Sequence, residues 1–491
     1  MWIHIISDII YLHMKSIPYI NKIPYHWLIF STAAFSIFIT ATDRSALNII
    51  LPEISEEFSA DLPTVQWVTI IYFLTVVSLL VPMGRLSDII GSKKVIVTGL
   101  LIFTIGGIVS TWAPNLPFLI FARFVQGIGG GMIQGTSFII AVSAFDETQK
   151  GKAIGLNLIF VSLGNLIGPL IGGLIAGFID WRALFILFSF LSFMSGALSI
   201  ILLPKNSSST KISSDFDWAG AGLLIAGFAF LLSGITIASR AGLNSATSIT
   251  LLTVSTLLII LFIIKSVRAN HPVLNIKLFK IPVFTLSVIA TLTAFIAMSS
   301  VPFILPFYLK YVLLFSTERI GTVLVPGGIA MGIMSPITGR LSDKFGSRWF
   351  SAGCLLWTSI GLLILSTLNS ESNEWLPYIG VIPVMSGVGG FYAPSNSTIL
   401  NVVTQSQRGS IIGLINLTRN LGNLLSIPIS VLIITTIMKS NGFYPDLSSV
   451  TESSDPNLLN VFILGMDRAF LYIGILCIVG SIISLYRRPL K

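Results

Sequence analysis

The chain has 491 residues, of which 54% are hydrophobic and only 10% charged, with a mean hydropathy of +0.90. Soluble domains carry roughly a quarter of charged residues, so this is an integral membrane protein and not a soluble enzyme. Its 29 Lys and Arg against 20 Asp and Glu give a net charge of +9. The basic residues gather in short loops between apolar runs, which reads as a topology signal and not as a nucleic-acid surface.

In chain order, residues 1–26 read as a cytoplasmic or interfacial leader: the apolar run 2–12 is too short to span and lacks the basic start of a signal peptide. Runs able to cross about 30 Å of hydrocarbon then follow. They lie at 27–51, 63–84, 93–112, 116–143, 152–178, 183–203, 217–238, 247–267, 282–309, 318–339, 349–368, 375–403, 409–437 and 466–486. These are fourteen helices. With residue 1 in the cytoplasm, twenty Lys and Arg fall in inner loops and termini and five in outer loops, while Arg44, Arg123, Arg419 and Arg468 fall in helices. That asymmetry places both termini inside a multi-pass inner (plasma) membrane protein. Cys354 and Cys477 are isolated within apolar runs, and the four histidines lie outside the long apolar segments, so no disulfide framework or metal site is indicated.

The second and tenth spans both end in GRLSD, at 84–88 and 339–343, continuing as IIGSKK and KFGSR. The shared layout is G-x-L-x-D-x-x-G-x-[KR], carried by Gly84, Asp88, Gly91 and Lys93 and again by Gly339, Asp343, Gly346 and Arg348. Read as tight loops, the glycines let helix ends approach and Asp88 can cap the next helix. The copies lie 255 residues apart, whereas six crossings with their loops need roughly 200. The surplus is two helices, at 217–238 and 247–267. The expected division is a leader at 1–26, a six-helix bundle at 27–204, a linker with two extra helices at 205–281 and a second six-helix bundle at 282–491.

The duplicated motif resembles the helix 2 to helix 3 signature of the major facilitator superfamily, and the helix count resembles its fourteen-helix drug:proton antiporter branch. Further stretches are similar to that branch. TDRSALNIILP (42–52) matches through Asp43, Ser45, Asn48, Leu51 and Pro52, and WVTIIYFL (67–74) through its Trp, Tyr and Leu. LIFARFVQGIGGG (119–131) matches at Leu119, Arg123, Gln126, Gly127 and Gly129. Gly155, Gly164, Gly168, Pro169, Gly172 and Gly173 match the motif typical of antiporters, with Trp181-Arg182, Asp217-Trp218 and RNLG (419–422) as further landmarks. The resemblance covers residues 27 to 488. It implies the major facilitator fold, an all-α membrane architecture of two six-helix bundles plus two inserted helices. It also implies that the helix 5 motif bends to seal one side of a central cavity, that Arg123 assists proton movement, and that Asp88 latches onto the amino end of helix 13.

Ionisable residues inside a membrane are costly and mark transport or proton sites by default. At 1.5 Å per residue, Asp43 lies about 13 Å and Arg123 about 10 Å below the outer surface, depths at which they can pair, and Arg419 lies about 16 Å from the inner one. Asp43 is the only carboxylate placed deep in a helix, so it is the expected carrier of a coupling proton, with a neutralising structural pair as the bland alternative. Arg44 departs from the branch. It points about 100° away from Asp43, so it either faces the cavity, which favours an anionic or zwitterionic amphiphile, or pairs with Asp43, which favours a cationic drug. Asn48, Gln126, Asn157, Tyr392, Asn396 and Asn416 are polar positions that either line the cavity or bond between helices.

The expected function is a proton-coupled antiporter exporting amphipathic small molecules by alternating access, with the proton as coupling ion and no other cofactor. An exporter of an endogenous anionic lipid, siderophore or metabolite is the alternative. No G-x4-G-K-[ST] loop supplies ATP, and no polar cluster at one interface supports a membrane enzyme. The expected partners are the bilayer and a small amphipathic substrate, without nucleic acid, and the sequence leaves open an adaptor docking on the periplasmic side.

Overall fold

A computed structural model describes residues 24–146, 150–204, 217–269, 276–401, 408–443 and 456–487. Hydrocarbon offers no partner for a free amide or carbonyl, so each apolar run closes its own backbone bonds as a helix. Fourteen of the helices are long and apolar enough to cross a membrane. They are α1 (Tyr25–Glu57), α2 (Trp67–Ile90), α3 (Ser92–Thr111), α4 (Leu116–Ser143), α5 (Lys150–Phe178), α6 (Arg182–Leu202) and α7 (Trp218–Ala241). The second seven are α8 (Ala246–Arg268), α9 (Pro282–Tyr311), α10 (Thr317–Phe345), α11 (Ser347–Leu365), α12 (Leu376–Asn401), α13 (Arg408–Ser440) and α14 (Pro456–Leu485). Helices α1–α6 and α9–α14 form the two bundles, while α7 and α8 pack mainly on each other. The exposed share of α8 is large, with only 17% of its central window buried, as befits a helix facing lipid.

Several helix boundaries differ from the sequence reading, α1 for instance running past the expected 51 to Glu57, and two of the differences have a clear physical reason. The GRLSD motifs are not loops: α2 runs on to Ile90 and α10 to Phe345, and the connection to the next helix is a single glycine in each case, Gly91 at φ +97° and Gly346 at φ +94°. A helix that has reached the interface no longer needs apolar side chains, which is why polarity marked its end too early. Only glycine adopts that backbone without strain. The second difference is α14, which starts at Pro456, a favoured first helical residue, ten residues before the expected 466. Both halves repeat the motif's internal bonds. Ser87 Oγ donates to the Gly84 carbonyl (2.6 Å) and Ser342 Oγ to that of Gly339 (2.8 Å), while Gly91 N and Gly346 N close onto the carbonyls of Ser87 and Ser342. Gly91 itself is the N-cap of α3, and the side chain of Asp88, the expected cap, lies outside the described residues. Residues 1–23 of the leader lie outside the described residues.

Small residues set how near the helices come. A Cβ at Gly129 of α4 would stand 2.4 Å from the amide nitrogen of Phe103 in α3. In α5 the glycine row divides between two partners. Gly164, Gly168 and Gly172 seat α1 of the same bundle, where a Cβ at Gly168 would stand 2.8 Å from the Thr42 carbonyl. Gly173, turned about 100° from Gly172, seats α10 of the other bundle, 2.7 Å from the Thr317 carbonyl.

At the end opposite the GRLSD motifs, the bundles are fastened together. Glu56 pairs with Lys310 (2.7 Å), Thr317 Oγ1 donates to Glu53, and Tyr311 donates to the Pro52 carbonyl (3.3 Å). Glu57 binds within its own bundle, to Arg182 (2.5 Å) and Trp181 (2.6 Å). Arg240, in the last turn of α7, reaches Asp61 of the first bundle (2.5 Å), and Lys439 of α13 donates to the Arg240 carbonyl.

A leucine at 173 has no room in this closure, and overpacking a contact of this kind costs about 1–3 kcal/mol. Gly173→Leu is expected to separate α5 from α10 and expose the central helices from the opposite end. A Met298→Cys reporter should then react several-fold faster with a membrane-impermeant maleimide added from that side. Gly332→Leu, where a Cβ meets nothing within 4 Å, should leave the rate unchanged.

Candidate functional site

Arg123, Gln126 and Leu119 recur at three and four residues along α4 and so share one face. That face meets α1 at Asp43. Arg123 Nη1 donates to Asp43 Oδ2 (3.0 Å) and to Gln126 Oε1 (2.7 Å), and Gln126 Nε2 donates to Asp43 Oδ1 (3.3 Å). Arg123 and Gln126 are fully buried and Asp43 is 3% exposed. From α2, the Val68 carbonyl accepts from Arg123 Nε (3.4 Å) and the Tyr72 ring lies 4.5 Å from the guanidinium carbon. Gly130 makes that stack possible, since a Cβ there would stand 2.6 Å from the Tyr72 hydroxyl. Among the described residues Arg123 Nη2 has no hydrogen-bond partner. The arrangement is one positive and one negative charge in a dry, aromatic-walled site inside a single bundle.

Arg44 points the other way, into the space between the bundles. Its Nη2 donates to Asn165 Oδ1 of α5 (2.8 Å), and its guanidinium carbon lies 5.2 Å from the centre of the Phe73 ring. It does not pair with Asp43. From the facing bundle, Arg419 Nη1 donates to Tyr392 (2.8 Å) and to Asn416 Oδ1 (3.3 Å), with the guanidinium carbon 4.7 Å from the Tyr392 ring and 5.0 Å from that of Phe295. Asn420 and Asn423 continue this polar face of α13. Asn420 Nδ2 donates to the Asn416 carbonyl (2.9 Å), and Ser299 donates to Asn423 Oδ1 (2.6 Å).

Two small cavities, about 50 Å³ each, meet at Arg44 and Asn423. The first runs toward the GRLSD end, past Thr40, Gln134, Asn157, Asn416 and Arg419. The second runs toward the opposite end, past Asn48, Asn165, Pro169, Met298, Met331 and Met385. Drug-sized ligands occupy roughly 300–1,000 Å³, so the bundles must part before one enters.

Of the positions expected to line the cavity, Arg44, Asn48, Asn157, Asn416 and Arg419 do. Gln126 does not, because both ends of its amide are spent on Asp43 and Arg123. Tyr392 acts through Arg419, and Asn396, half-buried on α12, borders neither cavity. Lys93 crosses to the end of α6, where its ammonium donates to the Ile200 and Leu203 carbonyls (both 2.6 Å). Gly84 lies within α2 beside α4, and a Cβ at Gly339 would just touch that of Ala393. The side chains of Asp88 and Asp343 and the surroundings of Gly155 lie outside the described residues, as does the proposed latch onto α13. Sequence reasoning missed Phe73, Asn165 and Gln134. Phe73 and Asn165 each sit within a quoted motif stretch, beside a residue that was singled out.

The description "Major Facilitator Superfamily" fits residues 33–427 and 287–490 of this chain. Riboflavin transporter RibZ of Clostridioides difficile is 30% identical over 383 residues, 78% of this chain and 82% of that protein. Lincomycin resistance protein LmrB of Bacillus subtilis is 28% identical over 458 residues, 92% of this chain and 94% of its own length. Multidrug resistance protein Stp of Mycobacterium tuberculosis is 26% identical over 390 residues, covering 79% and 72%. Among solved structures, an inward-facing, unoccupied bacterial homolog of the human lysosomal transporter Spinster superposes with a TM-score of 0.66 over 95% of this chain and 97% of that one. At 16% identity that likeness concerns the fold alone. Fourteen membrane helices among the described residues, twelve of them in two bundles, the duplicated GRLSD signature and these relatives agree: the chain belongs to the Major Facilitator Superfamily and is a multi-pass membrane transporter, not an enzyme.

Proposed function

We propose that the protein is a proton-coupled antiporter of the plasma membrane that exports amphipathic small molecules by alternating access. Both termini and the GRLSD end face the cytoplasm in this reading, as the basic residues of the short loops favour. The relatives named for lincomycin and multidrug resistance support export of amphipathic compounds.

The observation that carries the coupling is the buried Asp43–Arg123–Gln126 triad. A proton on Asp43 removes the counter-charge of Arg123, and breaking a buried pair on one side costs about 3–5 kcal/mol. The triad and the proton therefore exclude one another, so loading the proton drives a rearrangement of α1 against α4. Asp43 and Arg44 are adjacent on α1 and face opposite ways, which carries that rearrangement to the central cavity. The cross-bundle bonds of Glu53 and Glu56 hold the external end shut meanwhile.

The deciding experiment is substrate-induced proton release from purified protein in weakly buffered detergent, screening lipophilic cations and anionic amphiphiles. Release from the native protein and none from Asp43→Asn is expected. Equal release from both removes Asp43 as the proton carrier.

Stability gives a second check. Asp43→Asn and Arg123→Gln each strand a buried charge and should each lower stability by about 3–5 kcal/mol. The double variant should recover most of that loss in thermal unfolding while still failing to release protons. Additive losses would mean that the two residues do not form a functional pair.

A further inference from the structure

We infer that the central cavity is an anion site, in which Arg44 of the first bundle and Arg419 of the second together hold one carboxylate or phosphate group of an amphipathic substrate. The inference rests on the cavity being the transport site and names the charge of what it carries.

Charge accounting comes first. Among the described residues, Arg44 and Arg419 are the only ionisable groups lining either cavity. Asp43, adjacent to Arg44 in sequence, is committed to Arg123 on another face of α1. Among the described residues, the walls of these two cavities therefore carry two positive charges and no negative one. The two guanidiniums face the same small cavity, where like charges repel each other. Unneutralised charge at this depth is costly, and an anion seated between them turns a repulsion into two attractions.

The mounting of each arginine suits that task. Asn165, Tyr392 and Asn416 fix the guanidinium planes with neutral acceptors, and Phe73, Phe295 and Tyr392 lie against them. Orientation is supplied without neutralisation. Donors are left over: among the described residues Arg419 Nε and Asn157 Nδ2 are buried without a hydrogen-bond partner, and Asn157 is only 1% exposed on the wall of the first cavity. A carboxylate or phosphate accepts from forked guanidinium donors and from an amide together. The second cavity supplies the other half of an amphiphile's needs. Met298, Met331 and Met385, with Leu324 and Ile427, form a wall of flexible apolar side chains that adapts to varied shapes.

The test uses the full-length protein in nanodiscs of zwitterionic lipid and two fluorescent probes with one apolar body, 1-pyrenebutyrate and 1-pyrenebutylamine. Empty nanodiscs correct for partition into lipid. The native protein should bind the anionic probe at least about tenfold more tightly, equivalent to about 1.4 kcal/mol. Arg44→Gln and Arg419→Gln should each weaken the anion and not the cation, with partial recovery in Arg44→Lys. Equal or weaker binding of the anion by native protein, absence of binding included, overturns the inference, and it needs no variant to fold. Proton release is scored separately. An anion preference without proton release keeps the anion site and removes proton coupling, and release driven by the cationic probe alone does the reverse.

Discussion

A charge in hydrocarbon must be answered by another charge or by a dense set of dipoles, and this protein uses both answers within one helix turn. Asp43 and Arg123 neutralise each other inside the first bundle. Arg44, the next residue, is met among the described residues by the side-chain amide oxygen of Asn165 and the face of Phe73. α1 is thus a partition, with a closed ion pair on one side and an open positive surface on the other. Whatever moves one side of a rigid helix moves the other.

Close approach makes that partition stiff. α1 lies in the groove left by Gly164, Gly168 and Gly172, where α5 puts no side chain of its own between the two helices. On the far side, the glycines of α4 bring α2 near enough for Tyr72 to lie under Arg123. Few side chains are available to absorb a displacement, and close contacts run without a break from the triad through α1 and α5 to Gly173 and the second bundle. Interfaces of this kind switch between discrete packings and do not deform smoothly.

Much of this was legible in the sequence. Hydropathy placed the fourteen crossings, and helical rise alone put Asp43 and Arg123 at matching depths. The 100° step between neighbours showed that Asp43 and Arg44 cannot face the same way, and left open whether Arg44 enters the cavity or turns back to Asp43. What could not be read was which helix faces meet. Asn165 becomes the acceptor for Arg44 only because the α5 glycines lie toward α1, and Gln126 is withdrawn from the cavity only because α4 turns it to Asp43. The Glu56–Lys310 pair joins residues 254 positions apart, and no local pattern announces it. The GRLSD stretches misled in a different way, because a polar helical end at the interface and a polar loop have the same composition.

The two seams between the bundles are not alike. On one side α5 and α10 meet directly, glycine against glycine. On the other, α7 lies against both α2 and α13, and its end is tied to Asp61 on one flank and to Lys439 on the other. A strap fastened to both banks bars acyl chains from that crevice. A hydrophobic compound dissolved in the membrane therefore meets a protein with a handed approach, walled on the α7 side, so that any sideways route from lipid to the centre must open beside α5 and α10.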